Sequence, residues 1–283
     1  MAGTAAAAAV LALASGAGGE RIVPAGERET AYDVAVAISR DGPRPAAGAN
    51  ERKAHIALRS RFTDAGLAVE VQRFDVRGRG RSRNVIGKLD TAHTCLRIVI
   101  AHTDSTPNAP GANDNASGLG VLAELAPRLK ALDPGCDVWL VATGAEERIY
   151  TGSPDHLGAL ALAKLVKRRE LAGRLRYALS LDEVGRDRPF WLRSPVGGPR
   201  KSVEREILAA ARTEKVAVGW VRDESSGNSD HREFELLGMR GAKLGVGADG
   251  EPCRHRPCDR PGRLKASSLR AARLVVERAL RRR

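Results

Sequence analysis

Residues 95–102 read CLRIVIAH, a mostly apolar run that ends in His102. Such a run marks a strand buried on both faces, as in the centre of a parallel sheet. A second one, CDVWLVAT, occupies 136–143. Between them, ASGLGVLAELAPRLKAL (116–132) has helical spacing, with a break expected at Pro127. The same alternation extends both ways. Upstream, TAYDVAVAISR (30–40) and NERKAHIALRSRFTDAG (50–66) read as helices, the second stopping at Gly66. AVEVQRFDV (68–76) and SRNVIGKL (82–89) read as strands joined by the turn RGRGR. Downstream come a helix at 157–170, a strand at 175–185, a helix at 202–214, a strand at 216–223, a short helix at 230–238 and a strand at 240–247. A last helix starts near Lys265 and buries Leu269, Ala272, Val276, Ala279 and Leu280 at helical spacing. Strands alternating with helices predict an α/β sheet covered on both faces. No repeat or linker interrupts residues 29–283, so one domain is expected there.

Composition agrees. The chain has 283 residues, 42% of them hydrophobic and 4% aromatic, so the core must be built mainly of Ala, Val, Leu and Ile. The net charge of +13 is spread along the chain, without aromatic-interleaved basic stripes or zinc-finger spacing. It therefore reads as a solvated surface, and no nucleic-acid partner is expected; an anionic-surface binder would show steep salt dependence. Residues 1–28 contain the apolar run Ala5–Ala14 followed by small residues, which reads as a signal peptide or a disordered tail. The run is too short to span a bilayer, which takes about 20 residues. No stable membrane insertion is expected. Export is expected, because the chain carries four cysteines.

In α/β sheets, ligands gather at the carboxyl ends of the strands. Those ends are unusually rich in acids and histidine here. His102 and Asp104 follow the first buried strand, and Glu146 and Glu147 follow the second. Asp182 ends YALSLD, the loop GANDNASG (111–118) delivers Asp114, and CRHRPCD delivers His255. Singly, each has a structural explanation: a helix cap, a hydrogen-bonded histidine, a solvated acidic pair. Together they supply two histidines and three carboxylates as a ligand set, with acid to spare, which suits divalent ions of the zinc type.

AHTDS, GANDNASG, GAEE followed by TGS, LDEVG, SDHREF and CRHRPCD together, in this order over residues 30–283, resemble the two-zinc aminopeptidases of metallopeptidase family twenty-eight. That family also includes glutamate carboxypeptidases and glutaminyl cyclases. The resemblance implies a three-layer α/β sandwich with a mixed, mostly parallel central sheet. It implies a secreted metallo-aminopeptidase that holds two zinc ions and acts on peptides with a free N-terminus. His102 and Asp182 would bind one ion, Glu147 and His255 the other, and Asp114 both. Small residues around Asp114 would let the backbone approach two ions about 3.5–4 Å apart. Asp104 would orient the His102 ring, and Glu146 would be the general base.

Several features stay open at this level. His231 in SDHREF rivals His255 as a ligand, although the family pattern favours His255 and leaves His231 to line or buttress the site. His55, His93 and His156 lie in helix or loop patterns and need no role. Arg254 stands where the family often has a tyrosine that donates to the oxyanion; it either points inward and takes over that task or turns outward. The resemblance implies a Cys253–Cys258 disulfide and a cis Asp114–Asn115 peptide. Cys95 and Cys136 open two strands and either pair or sit as small core residues. The alternatives in function are glutaminyl cyclase-like, dipeptidase or carboxypeptidase activity on the same fold, and a non-catalytic binding protein. The oligomeric state and the preferred N-terminal residue are not legible.

Overall fold

The computed structural model describes residues 29–186, 189–195, 201–223, 228–246 and 251–281. The signal-like segment at 1–28 lies outside them. One mixed sheet organises the chain. Its strands are β1 (Ala68–Val76), β2 (Gly80–Leu89), β3 (Leu96–His102), β4 (Asp137–Thr143), β5 (Leu175–Asp182), β6 (Phe190–Pro195), β7 (Val218–Asp223) and β8 (Gly241–Gly245), in the order β1-β2-β4-β3-β5-β8-β6-β7. The pairs β3/β4, β3/β5, β5/β8 and β6/β7 run parallel. The pairs β1/β2, β2/β4 and β6/β8 run antiparallel.

Alternation along the strands explains the three layers. In β3, Val99 and Ala101 face one core while Ile98 and Ile100 face the other. The first core packs under α1 (Ala31–Ser39), α2 (Ala49–Asp64), α3 (Ser117–Leu125), α5 (Lys201–Thr213) and α7 (Ala266–Leu280). The second packs under α4 (Leu157–Arg168) and α6 (His231–Leu236). α1 opens with a capping box, in which Thr30 and Asp33 satisfy each other's backbone N–H groups. α3 stops at Leu125 and tightens into a 3₁₀ turn at Ala126–Arg128, where Pro127 cannot donate to the helix ladder.

The expected elements are found with shifts of a few residues. β6 had not been expected. Its apolar triplet Phe190-Trp191-Leu192 is short and lies between Pro189 and Pro195, both of which read as turn residues. It forms a strand because β7 and β8 supply partners on both edges. Cys95 and Cys136 stand one residue before the parallel neighbours β3 and β4, and they form a disulfide with Cα atoms 4.8 Å apart.

β3, β4 and β5 lie side by side and run in the same direction, so their carboxyl ends open onto one rim of the sheet. The site is built there.

Candidate metal centre

His102 is the last residue of β3 and is 1% exposed. Its Nδ1 lies 3.1 Å from the backbone oxygen of Asp104. A carbonyl only accepts, so Nδ1 donates to it and Nε2 is turned toward the carboxylates. Nε2 lies 3.1 Å from Asp114 Oδ1 and 3.7 Å from Asp182 Oδ1. Asp114 offers its other oxygen, Oδ2, to His255 Nε2 at 3.2 Å, and Glu147 Oε2 stands 3.4 Å from the same nitrogen. One carboxylate thus divides its two oxygens between two histidines.

The loop geometry requires small residues. Gly111 has φ +65°, and a Cβ there would come within 2.5 Å of the Asp114 carbonyl and of Ser105. A Cβ on Gly118 would lie 2.5 Å from the carbonyl oxygen of Leu181. The Asp114–Asn115 peptide is cis. Asp259 accepts the backbone N–H groups of Asn113 and Asp114 at 2.7 and 3.0 Å. Asp259 follows the Cys253–Cys258 disulfide directly, so the His255 loop and the Asp114 loop are tied together. Arg44 is fully buried and donates to the carbonyl oxygens of Thr103, Pro110 and Gly111, which fastens the near side of the loop.

Asp104 serves differently from the expectation. Its backbone carbonyl orients the His102 ring, whereas its carboxylate is 3.7 Å from Nδ1. The carboxylate instead accepts the backbone N–H groups of Glu146 and Glu147 at 3.0 and 2.9 Å. It therefore clamps the segment after β4 onto the end of β3.

The electrostatics call for a cation. Burial, and then the acids around them, push Glu146 and Glu147 well above the usual carboxylate range. Burial alone would lower His102, but Glu146, Asp104, Asp114 and Asp182 outweigh it and hold the ring well above its ordinary value. Asp182 is also buried, yet Lys243 and His102 hold it well below the usual range. Two buried oxygens, Glu147 Oε1 and Asp182 Oδ1, have no hydrogen-bond partner among the described residues. Donor atoms of His102, Glu146 and Asp182 lie within 4.8 Å of one another, as do those of Asp114, Glu147 and His255. Imidazole nitrogens and carboxylate oxygens in two adjoining groups fit zinc-type ions. A cavity of about 230 Å3 opens over these groups.

The two residues with open alternatives occupy distinct positions. Arg254 turns inward: it lines the cavity and pairs with Glu183. His231 is fully buried, its ring nitrogens have no partner among the described residues, and it does not line the cavity; its backbone lies against Gly241, which buttresses β8.

Three residues were passed over in the sequence. His156 was given no role, yet it lines the cavity with Nε2 3.4 Å from Glu146 Oε1. It caps an apolar helix, and nothing in the periodicity marks it. Lys243 donates to Asp182 Oδ2 at 2.7 Å, and its Nζ lies 3.8 Å from Glu183 Oε2. A lysine inside the small, buried strand GAKLG was the available signal.

Residues 84–280 match the model of peptidase family M28. Aminopeptidase YwaD of Bacillus subtilis (strain 168) is 30% identical over 212 residues, covering 70% of this chain and 44% of that protein. The chain spans less than half the length of the curated relatives it matches. Among solved structures, the aminopeptidase from Aneurinibacillus sp. strain AM-1 superimposes with a TM-score of 0.75 at 18% identity, over 88% of this chain and 92% of that one. The Fimbriiglobus ruber glutaminyl cyclase gives a TM-score of 0.75 at 19% identity, over 88% and 93%. At these identities the superpositions speak for a shared fold.

Proposed function

The chain belongs to peptidase family M28, and from that premise we propose that it is a zinc-dependent aminopeptidase that removes N-terminal residues from peptides. The observation that carries the proposal is the division of Asp114 between His102 and His255, with unpartnered oxygens of Asp182 and Glu147 on either side. In this reading His102 and Asp182 would hold one zinc ion and Glu147 and His255 a second, with Asp114 available to both. Zinc held there would supply Lewis acidity.

The protein's own groups do the rest. Glu146, buried at the cavity wall, accepts a proton from the attacking water at a carboxylate oxygen. The water oxygen bonds to the carbonyl carbon, the C–N bond breaks, and Glu146 returns the proton to the leaving amine nitrogen. Asp104 keeps Glu146 and Glu147 in place through their backbone N–H groups. Arg254 donates to the oxyanion. A guanidinium has five N–H donors, so its pair with Glu183 does not exhaust it. The two disulfides support an exported protein.

The test is a panel of aminoacyl-4-nitroanilides incubated with zinc-replete protein, its chelated form and Glu146→Gln. Nitroaniline release that disappears in both controls is the expected result. Ammonia release from N-terminal glutaminyl peptides, with no nitroaniline from any substrate, would move the assignment to a cyclase. Zinc-replete protein that cleaves nothing would leave a binding protein.

A further inference from the structure

Beyond Thr143, where β4 ends, four consecutive backbone N–H groups are taken up by side-chain oxygens. Asn84 Oδ1 accepts from Gly144 at 3.3 Å, Glu51 Oε1 from Ala145 at 3.1 Å, and the two oxygens of Asp104 from Glu146 and Glu147. Buried backbone donors have to be paired once the strand ladder stops. Glu51 does this from outside the site: it lies in the first turn of α2, is 2% exposed and does not line the cavity. Its other oxygen, Oε2, accepts from the Ala47 N–H at 2.8 Å, and Ser82 Oγ on β2 donates to the same carboxyl group. Both alanines held by Glu51 have left-handed backbones, with φ +62° at Ala47 and +52° at Ala145. Alanine keeps that conformation only where its surroundings impose it. Ala145 is gripped on its other side as well, because its carbonyl oxygen accepts from the Leu157 N–H at the start of α4, at 3.1 Å. Gly144 makes room for the grip: a Cβ there would lie 2.7 Å from Glu51 Oε1.

We propose that Glu51 is a positioning residue for Glu146 and Glu147: by holding the Ala145 N–H it imposes the left-handed turn that aims both glutamates at the cavity. Asp104 fixes the two N–H groups that follow the turn, and Glu51 fixes the turn itself. The proposal rests on the assignment of Glu146 as the proton carrier and Glu147 as a zinc ligand. It predicts that turnover and zinc affinity fall together while KM holds, because Glu51 acts on the segment that carries both residues and does not reach the cavity.

The experiment uses the full chain, a good nitroanilide substrate and zinc titrated against a competing chelator. In Glu51→Leu, kcat at saturating zinc should fall about tenfold and zinc should bind about tenfold more weakly, the lower end of what outer partners of metal ligands contribute, with KM within about twofold. Glu51→Gln keeps one acceptor oxygen for the two alanine N–H groups, so it should fall between wild type and Glu51→Leu; it carries the test if the leucine variant does not fold. Glu124→Leu is the control for general destabilisation. Glu124 is also a buried acid that accepts a backbone N–H, that of Ala31 at 2.8 Å, and it does not line the cavity. Its loss should lower the melting temperature and leave kcat and zinc affinity within about twofold of wild type. In zinc-free protein, the Ala145 amide should be protected from hydrogen exchange in wild type and in Glu124→Leu, and should lose that protection in Glu51→Leu. A kcat and a zinc affinity both within about twofold of wild type in the Glu51 variants overturn the proposal. So does a loss that Glu124→Leu reproduces, or an Ala145 amide that stays protected without Glu51. Glu146→Gln separates this from the parent assignment. If it leaves kcat intact, the proton carrier is wrongly assigned, and zinc affinity and amide exchange in Glu51→Leu still decide the positioning role. If Glu146→Gln is inactive while the Glu51 variants are normal, only the positioning role fails.

Discussion

Lys243→Met removes the ammonium group set against the proposed metal ligand Asp182 while keeping a side chain of similar length. Lys243 is 6% exposed and its Nζ lies 2.7 Å from Asp182 Oδ2. At an effective dielectric constant of about 20, unit charges at that distance attract by roughly 6 kcal/mol, a gross figure before either group is desolvated. Losing one partner of a buried pair strands the other charge and costs about 3–5 kcal/mol. That loss is expected in zinc-free protein. With zinc present it should shrink, because a cation at Asp182 Oδ1 compensates the same carboxylate from its other side. The assay is urea unfolding of wild type and variant, each chelated and zinc-replete, with stability taken as the product of m and the midpoint. Asp182 is depressed in the fold, so its contribution is complete above the unfolded value of about 3.9 and fades only as pH falls below it. The difference between the two proteins should therefore be flat from pH 5 to 8. A zinc-free loss under about 1 kcal/mol would remove the ion pair from the account of this site. An equal loss with and without zinc would show that no cation sits at Asp182.

Glu146→Gln should keep its zinc and lose at least about a hundredfold in kcat, whereas Glu147→Gln should lose zinc as well; equal metal loss by elemental analysis would undo the division of roles. Arg254→Ala should lower kcat about tenfold to a hundredfold with KM nearly unchanged, and steady-state kinetics showing less than a twofold change would take Arg254 out of catalysis. Burial pushes His55 down to about 3 in the fold. Its unfolded form takes up a proton near 6.5, so stability drains away as pH falls from there toward 3. Urea unfolding of wild type and His55→Gln at several pH values should show their stability difference sloping by up to about 1.4 kcal/mol per pH unit across that window, and parallel curves would contradict it.

The strand–helix alternation was readable because buried strands such as β3 and β4 are apolar along their length and end abruptly in polar residues. What joined those ends into one site was not readable from spacing, and the order of motifs supplied it. Contacts between elements distant in sequence remained hidden. The grip of Asp104 on Glu146 and Glu147 depends on the register of β3 against β4, in which His102 stands beside Thr143. The contact of His156 with Glu146 depends on how α4 meets α6. β6 was missed for a related reason: its neighbours define it as a strand, and its own residues do so only weakly.

The pairing of β3 with β4 and β5 has a consequence for which substitutions this rim of the sheet can tolerate. Neighbouring strands are about 4.8 Å apart, and the donors leave from three adjacent strand ends. The sheet therefore acts as a ruler: it sets the starting points of the side chains, and each side chain's length has to cover a fixed remainder. Asp182 starts on a strand and Glu147 in a segment pinned by Asp104, so neither can slide to absorb an added or missing methylene. Exchanging aspartate for glutamate at either position preserves charge and donor type but breaks the measure.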